Sequence, residues 1–182
     1  MGSSFTFVRH GRTDWSRADI TKGPGDFPLN SLGREDALQA AAFLDPEESS
    51  YVIISSDLAR ARETAQIIAD KIKVPIHIFP DLNERYFGDY SVLSTEDLAS
   101  SLTPSDAEDE LPFKSRVSRA ISNIFTNPSF HEKQKIIVSH GLVFRYLSSL
   151  LTGKEESINY GEVCLFVPKE GTDFWEIIRK IL

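Results

Sequence analysis

Two short apolar runs, each followed closely by a His-Gly pair, constrain the fold of this chain more than any other feature. The first run covers residues 5–8 and leads to His10-Gly11, and the second covers residues 136–138 and leads to His140-Gly141. Runs of this length and composition are typical of buried strands, which are predicted here over residues 5–8 and 136–139. Because ligands bind at the carboxyl ends of parallel strands in open α/β sheets, we expect the two imidazoles to converge on one pocket. Glycine after each histidine permits a sharp turn or a close approach to a ligand.

The rest of the chain alternates between strand-like and helix-like patterns. Further strands are predicted over residues 51–54, 76–79, 162–167 and 174–178, and helices over residues 32–44, 57–71, 113–125 and 141–151. Ser31 is the expected N-cap of the first helix. Alternation of this kind predicts an α/β fold of three layers, αβα, with a mostly parallel sheet, helices on both faces and a final hairpin. At 182 residues, one domain spanning the whole chain is expected.

Composition and charge argue against several classes of function. The formal net charge of −7 disfavours nucleic acid as a partner, because binding to a phosphate backbone requires a basic surface. A single cysteine, Cys164, excludes an internal disulfide and fits a reducing compartment. No apolar run has the length of a membrane-spanning helix, and no signal peptide precedes the first strand. We therefore expect a cytoplasmic protein with neither membrane nor nucleic-acid partners.

Two arginines are candidates for binding an anion between the histidines. Arg9 follows a strand that is expected to be buried on both faces, where an arginine needs a partner. If Asp57 caps the second helix, Arg60 lies in its first turn, where the helix dipole disfavours a cation unless an anion binds there. The alternative for Arg60 is a solvated surface side chain. Two guanidinium groups and two imidazoles around one point would suit a tetrahedral dianion such as phosphate.

Such a pocket needs a nucleophile and a proton donor to cleave a phosphate ester. A neutral imidazole can attack phosphorus and form a covalent phosphohistidine. A carboxyl group can protonate the leaving alkoxide. Glu84, which follows the third predicted strand, is the candidate for this donor. The alternative for Glu84 alone is a solvated loop carboxylate.

Five separated motifs, in order along the chain, resemble those of the histidine phosphatase superfamily, also called the phosphoglycerate mutase-like family. They are Arg-His-Gly-Arg-Thr at 9–13, Asp-Phe-Pro-Leu at 26–29 with Gly33, the block at 55–65, the block at 82–88, and Ser-His-Gly at 139–141. The resemblance implies that His10 becomes phosphorylated and that Glu84 protonates the leaving group. It also implies that Arg9, Arg60 and His140 hold the phosphoryl group, with no metal or organic cofactor. The predicted substrate-binding set is completed by Thr13, Ser16, Gly23 and Gly141.

Departures from the family pattern bear on the substrate. Ser16 stands where many members have Asn, and Asp89-Tyr90-Ser91 replaces a segment that often contains Trp-Glu-Gly. Phosphoglycerate mutases of the family are longer, with an insertion between the acid and the second histidine and a C-terminal tail over the site. A site without such a cover admits water, which favours hydrolysis. The sequence therefore predicts a phosphatase for a phosphomonoester, either a small phosphorylated molecule or a phosphoprotein.

Three other functions stay open from the sequence. One is a mutase that returns the phosphoryl group to a hydroxyl, and another is a phosphate-binding module without turnover. The third is a metallohydrolase with His10, His140 and Glu84 as ligands, against which Arg9 argues because a cation repels a divalent metal. Cys164 lacks the arginine of a Cys-x5-Arg phosphatase loop and is interpreted as a buried apolar residue. Four further cations could bind the non-phosphoryl part of the substrate, but each taken alone is interpreted as a surface charge: Arg12, Lys22, Arg62 and Arg85.

Overall fold

A six-stranded mixed sheet organises the part of the chain that the computed structural model describes, which is residues 3–14, 26–45, 50–88 and 106–180. The strands are β1 (Phe5–Arg9), β2 (Tyr51–Ser55), β3 (Ile76–Ile78), β4 (Gln134–Ser139), β5 (Val163–Pro168) and β6 (Trp175–Lys180). Their order is β3-β2-β4-β1-β5-β6. The first four in this order pair in parallel, and β5 and β6 are antiparallel. The mostly parallel sheet with a final hairpin is thus confirmed.

Helices cover both faces of the sheet, as the alternating pattern predicts. They are α1 (Ser31–Ala42), α2 (Ala59–Ile72), α3 (Glu110–Thr126) and α4 (Gly141–Thr152). Neighbouring residues of β1 point to opposite faces: Phe7 packs in the core with α3 and α4, and Val8 in the core with α1 and α2. The three-layer αβα fold is therefore confirmed. Within the described ranges, no helix has both the length and the apolar character needed to cross a membrane.

The start of α1 differs from the prediction. Asn30, and not Ser31, is the N-cap, and its Oδ1 accepts a hydrogen bond from the backbone N–H of Gly33 at 2.8 Å. Asp36 is buried and binds Arg12, whose Nε and Nη2 donate to the carboxylate at 2.8 Å and 2.6 Å. Arg12 is therefore not a free surface charge. Its ion pair ties the loop after β1 to α1.

The start of α2 differs as well. Asp57 does not cap this helix; Leu58 occupies the N-cap position without a side-chain hydrogen bond. The backbone N–H of Ala59 donates instead to Oδ1 of Asp26, at 2.5 Å. Asp26 comes from the loop before α1, so tertiary structure supplies the cap. The anion at the start of α2 is thus a carboxylate of the chain itself, which satisfies one terminal backbone donor.

The loop that carries His10 crosses α1 at a contact between two glycines. A Cβ on Gly11 would lie 2.1 Å from the carbonyl oxygen of Gly33, and a Cβ on Gly33 would lie 1.9 Å from the carbonyl oxygen of Arg12. Both obstacles are backbone atoms, so neither can move aside without shifting the loop or the helix. Only glycine fits this close approach.

We expect Gly33→Ala to lower the free energy of unfolding by about 3 kcal/mol, because the added methyl group overpacks a backbone contact. Urea denaturation measures this change. Arg34→Ala is the control, since the next position of α1 is exposed and its ion pair with Glu63 is a surface pair. A loss below about 1 kcal/mol in the glycine variant would contradict the tight crossing.

Candidate active site

The two His-Gly pairs lie side by side at the carboxyl edge of the sheet. His10 follows β1 and His140 follows the adjacent β4, and the centres of their rings are 5.0 Å apart. The parallel hydrogen-bond pattern continues past the strand end, where the N–H of His10 donates to the carbonyl of Ser139 at 3.0 Å. His10 is 4% exposed and His140 is fully buried. Neighbouring parallel strands thus bring both imidazoles to one place.

Local hydrogen bonds place the proton of the neutral His10 ring. Its Nδ1 lies 2.7 Å from the carbonyl oxygen of Gly11. A carbonyl oxygen can only accept, so Nδ1 carries the proton and Nε2 keeps its lone pair. Nε2 in turn accepts a hydrogen bond from Nε of Arg60 at 3.3 Å. Nε2 is therefore the ring nitrogen of His10 whose lone pair could attack an electrophile, and it lies beside a guanidinium group.

Arg9 occupies a second cationic position at the same edge. Its Nη1 donates to the carbonyl of Ile158 at 2.7 Å, and its Cζ lies 3.7 Å from the centre of the Tyr160 ring. Among the described residues, no protein atom accepts a hydrogen bond from its buried Nε. A Cβ on Gly141 would lie 3.4 Å from Arg9 Cζ, so the backbone at the start of α4 lies close to the guanidinium.

Burial lowers the pKa of both Arg9 and Arg60 from the ordinary arginine value, and the nearby Glu84 carboxylate partly offsets this effect. Two guanidinium groups that have lost part of their hydration favour a strong anion as a replacement for water. The pocket is therefore suited to binding a dianionic oxyanion.

We expect Arg60→Met to weaken inorganic phosphate binding by about tenfold to a hundredfold, the effect of one lost charge-assisted hydrogen bond. Thermal stability is expected to stay equal or to rise, because an apolar side chain of similar volume has no hydration to lose. Calorimetric titration and thermal melts measure the two effects. Arg62→Met, at an exposed neighbouring position, is the control. Unchanged phosphate affinity would contradict a role for Arg60 in the pocket.

Glu84 reaches the site from the loop after β3. Its Oε1 accepts from its neighbour, the backbone N–H of Arg85, at 3.1 Å, and its Oε2 accepts from the N–H of Leu142 at 3.3 Å. Leu142 is in the first turn of α4, two residues after His140. Ser139 holds the same loop, since its hydroxyl donates to the carbonyl of Leu82 at 2.7 Å. The carboxylate therefore lies at the same sheet edge as the two histidines.

Arg116, on α3, supports this loop and was not singled out by the sequence analysis. Its Nη1 donates to the carbonyls of Asp81 and Asn83 at 2.8 Å and 2.7 Å, and its Nη2 donates to that of Glu84 at 3.1 Å. An ion pair with Glu108 at 2.7 Å orients the guanidinium. Helical periodicity shows only that Arg116 lies off the apolar stripe, so no sequence signal indicates that it binds three loop carbonyls.

We expect Arg116→Met to lower the free energy of unfolding by about 2–3 kcal/mol, because it leaves a half-buried carboxylate and three carbonyls without their donor. Turnover should fall as well, since the Glu84 loop loses its support. Arg119→Met is the matched control: it lies on the same helix and binds the side chain of Asp81, but it is solvent-exposed. Equal stability losses in the two variants would contradict this assignment.

The structure describes two of the four remaining predicted substrate-binding residues. Thr13 is as buried as His10, at 4% exposed, and Gly141 begins α4. Ser16 and Gly23 lie outside the described residues. Tyr160, which sequence reasoning missed, lies against both Arg9 and His10, with its ring centre 5.5 Å from that of His10. The sequence clue to Tyr160 is its position in the loop before β5. Because β5 pairs antiparallel with β1, this loop lies near the end of β1, where Arg9 and His10 are.

The geometry bears on two alternative chemistries, which are metal-assisted hydrolysis and nucleophilic attack by a cysteine. In the described part of the chain, no three side chains of His, Cys, Asp or Glu lie close enough together to hold a metal ion. Cys164 is buried in β5, and burial raises its pKa to about 12. A thiol with this pKa stays protonated at neutral pH and is a poor nucleophile.

Comparison with known proteins identifies the family. The family model of the histidine phosphatase superfamily, branch 1, matches residues 5–162. This chain belongs to the histidine phosphatase superfamily. The resemblance carried by the five motifs is thus confirmed. The expectation of an enzyme is confirmed as well, because relatives in this family are named as phosphatases.

Members of the superfamily with different names are similar to this chain. An adenosylcobalamin/alpha-ribazole phosphatase of Salmonella typhimurium is 34% identical over 161 residues, which is 80% of this chain and 78% of that protein. A probable phosphoglycerate mutase, GpmB, of Serratia proteamaculans is 30% identical over 164 residues, which is 80% of this chain and 73% of that protein. The solved alpha-ribazole phosphatase of Shigella flexneri superposes with a TM-score of 0.81 at 25% identity, covering 97% of this chain and 95% of its own.

Proposed function

We propose that this protein is a metal-independent phosphatase that hydrolyses a small phosphomonoester through a phosphohistidine on His10. The observation that carries the proposal is the hydrogen-bonding of His10. Its Nδ1 proton is bound by the Gly11 carbonyl, and its Nε2 lone pair faces the guanidinium of Arg60. A phosphoryl group bound by Arg60 would therefore lie next to the nucleophilic nitrogen, as in-line attack requires.

In the first step, Nε2 of His10 attacks phosphorus and the bond from phosphorus to the ester oxygen breaks. Arg9, Arg60 and His140 donate hydrogen bonds to the non-bridging oxygens, where negative charge is concentrated. Glu84 enters this step protonated and gives its proton to the departing alkoxide. The products are the free alcohol, a phosphorylated His10 and an ionised Glu84.

In the second step, the oxygen of a water molecule attacks the phosphorus of the phosphorylated His10. The ionised Glu84 accepts a proton from this water, the bond between phosphorus and Nε2 breaks, and inorganic phosphate leaves. His10 regains its lone pair on Nε2 and Glu84 regains its proton. No metal takes part in either step.

A cavity beside the Glu84 loop supports a small molecule, rather than a phosphoprotein, as the substrate. Its volume is about 370 Å³, within the range of small-molecule sites. Arg85 and Leu142 line this cavity, and their backbone N–H groups are those that hold the Glu84 carboxylate. The alcohol that Glu84 protonates would thus leave toward this side. Two ion pairs and two aromatic rings also line the cavity: Lys114 with Glu110, Arg145 with Glu155, Phe113 and Tyr146.

Hydrolysis of p-nitrophenyl phosphate with and without EDTA tests the proposal. We expect release of inorganic phosphate at the same rate in both samples, and inhibition by vanadate. Loss of activity in EDTA would overturn the metal-independent mechanism. A parallel assay with phosphoglycerate distinguishes a mutase, since isomerisation faster than phosphate release would overturn hydrolysis as the main reaction. No turnover, together with tight phosphate binding, would instead indicate a binding module.

A further inference from the structure

A chain of hydrogen bonds connects the second histidine to the loop that carries Glu84. Nε2 of His140 lies 2.7 Å from the hydroxyl oxygen of Ser56, which lies 2.9 Å from Oδ1 of Asn83. Ser56 and His140 are both fully buried. Ser56 follows β2, His140 follows β4, and Asn83 precedes Glu84. Three separate segments therefore meet in one polar network.

The direction of each hydrogen bond follows from one backbone donor. The N–H of Asp57 donates to Oδ1 of Asn83 at 2.8 Å, which fixes this atom as the amide oxygen. An amide oxygen cannot donate, so the Ser56 hydroxyl must give its only hydrogen to it. Because this hydrogen is already used, the Ser56 oxygen can only accept further hydrogen bonds. It accepts one from the N–H of Leu58 at 3.2 Å, and it must also be the acceptor toward His140. Nε2 of His140 must therefore carry a proton.

We infer that Asn83 is a positioning residue that acts through Ser56 to fix the proton of His140 on Nε2. The two histidines then have opposite tautomers, with the proton of His10 on Nδ1 and that of His140 on Nε2. With Nε2 bound to Ser56, His140 turns its Nδ1 edge to any phosphoryl oxygen that it contacts. It donates there only as the doubly protonated imidazolium. The consequence for turnover rests on the proposed function, and the placement of the proton does not.

Nitrogen NMR of the protein labelled at histidine tests the inference directly, because the chain contains only four histidines. At alkaline pH, where the rings are neutral, we expect His140 to be protonated at Nε2 and His10 at Nδ1. Asn83→Asp keeps an acceptor for both Ser56 and Asp57 and should preserve the His140 tautomer. Asn83→Leu frees the Ser56 hydroxyl to donate to Nε2, and should shift the His140 proton toward Nδ1.

Kinetics with p-nitrophenyl phosphate supply the second readout. We expect kcat/KM to fall by about tenfold to a hundredfold in Asn83→Leu and Ser56→Ala, because Nε2 of His140 then lacks the acceptor that favours the imidazolium, the form that donates a charge-assisted hydrogen bond to the phosphoryl group. Asn83→Asp keeps this acceptor and should largely restore kcat/KM. Asn127→Leu is the matched control, since Asn127 also accepts a backbone N–H through Oδ1 but lies far along the chain in the loop before β4. Thermal melts of all four variants show that they are folded.

The outcomes separate the inference from the proposed function. An Nδ1 proton on His140 in the unsubstituted protein would overturn the inference, whatever the activity. The inference would also be overturned if Asn83→Leu left both the His140 tautomer and kcat/KM unchanged. If the tautomers are as expected but no phosphomonoester is hydrolysed, the proposed function fails and the placement of the His140 proton by Asn83 stands.

Discussion

Replacement of His10 by alanine is expected to lower kcat for phosphomonoester hydrolysis by about 10⁴-fold or more, the size of effect seen when a covalent nucleophile is removed. The structure gives the reason, because Nε2 of His10 is held beside Arg60 while its Nδ1 is occupied by the Gly11 carbonyl. Neighbouring groups remain in place in the variant, so inorganic phosphate should still bind. Initial rates with p-nitrophenyl phosphate, together with calorimetric titration of phosphate, measure both effects.

His131→Ala is the control for this experiment, because His131 is exposed and lies before β4, outside the pocket. It should retain full activity. A His10→Ala variant that is folded, binds phosphate and still turns over within about tenfold of the unsubstituted protein would rule out His10 as the nucleophile.

Glu84→Gln is expected to have an effect that depends on the leaving group. For an alkyl phosphate, whose alkoxide needs a proton to depart, kcat/KM should fall by about 10³-fold. For p-nitrophenyl phosphate the fall should be much smaller, because p-nitrophenolate is stable without protonation. The amide oxygen can still accept one of the two backbone N–H bonds that now hold the carboxylate, so the loop should keep its position.

The ratio kcat/KM is the right quantity for this comparison, because it reports the steps up to phosphorylation and excludes the later attack of water. Glu132→Gln, an exposed carboxylate in the turn before β4, is the control. Equal losses of kcat/KM for the alkyl and the p-nitrophenyl ester would contradict proton donation by Glu84 to the leaving group.

Much of this fold is predictable from local sequence patterns. The buried strands are short apolar runs and the helices have apolar stripes, so the alternation alone predicts the layered sheet. The parallel order then brings His10 and His140 together, because each directly follows a strand of the same sheet. The motifs at 9–13 and 139–141 therefore locate the centre of the candidate site from the sequence.

The parts that sequence reasoning missed depend on contacts between distant segments. The cap of α2 comes from Asp26, which belongs to another loop, so a search for a nearby capping residue selects Asp57 wrongly. Arg116 binds backbone carbonyls, and a carbonyl has no sequence signature. Tyr160 contacts Arg9 because β5 lies next to β1, a neighbour relation that no local pattern contains.

The stereochemical course at phosphorus tests the central claim, a covalent intermediate, most directly. A thiophosphate monoester made chiral at phosphorus by ¹⁸O at one non-bridging oxygen would be hydrolysed in water labelled with ¹⁷O. The configuration of the inorganic thiophosphate would then be determined. Attack by His10 Nε2 followed by attack of water gives two in-line displacements, each with inversion, so the account predicts net retention. Net inversion would show a single displacement by water and would contradict the phosphohistidine mechanism.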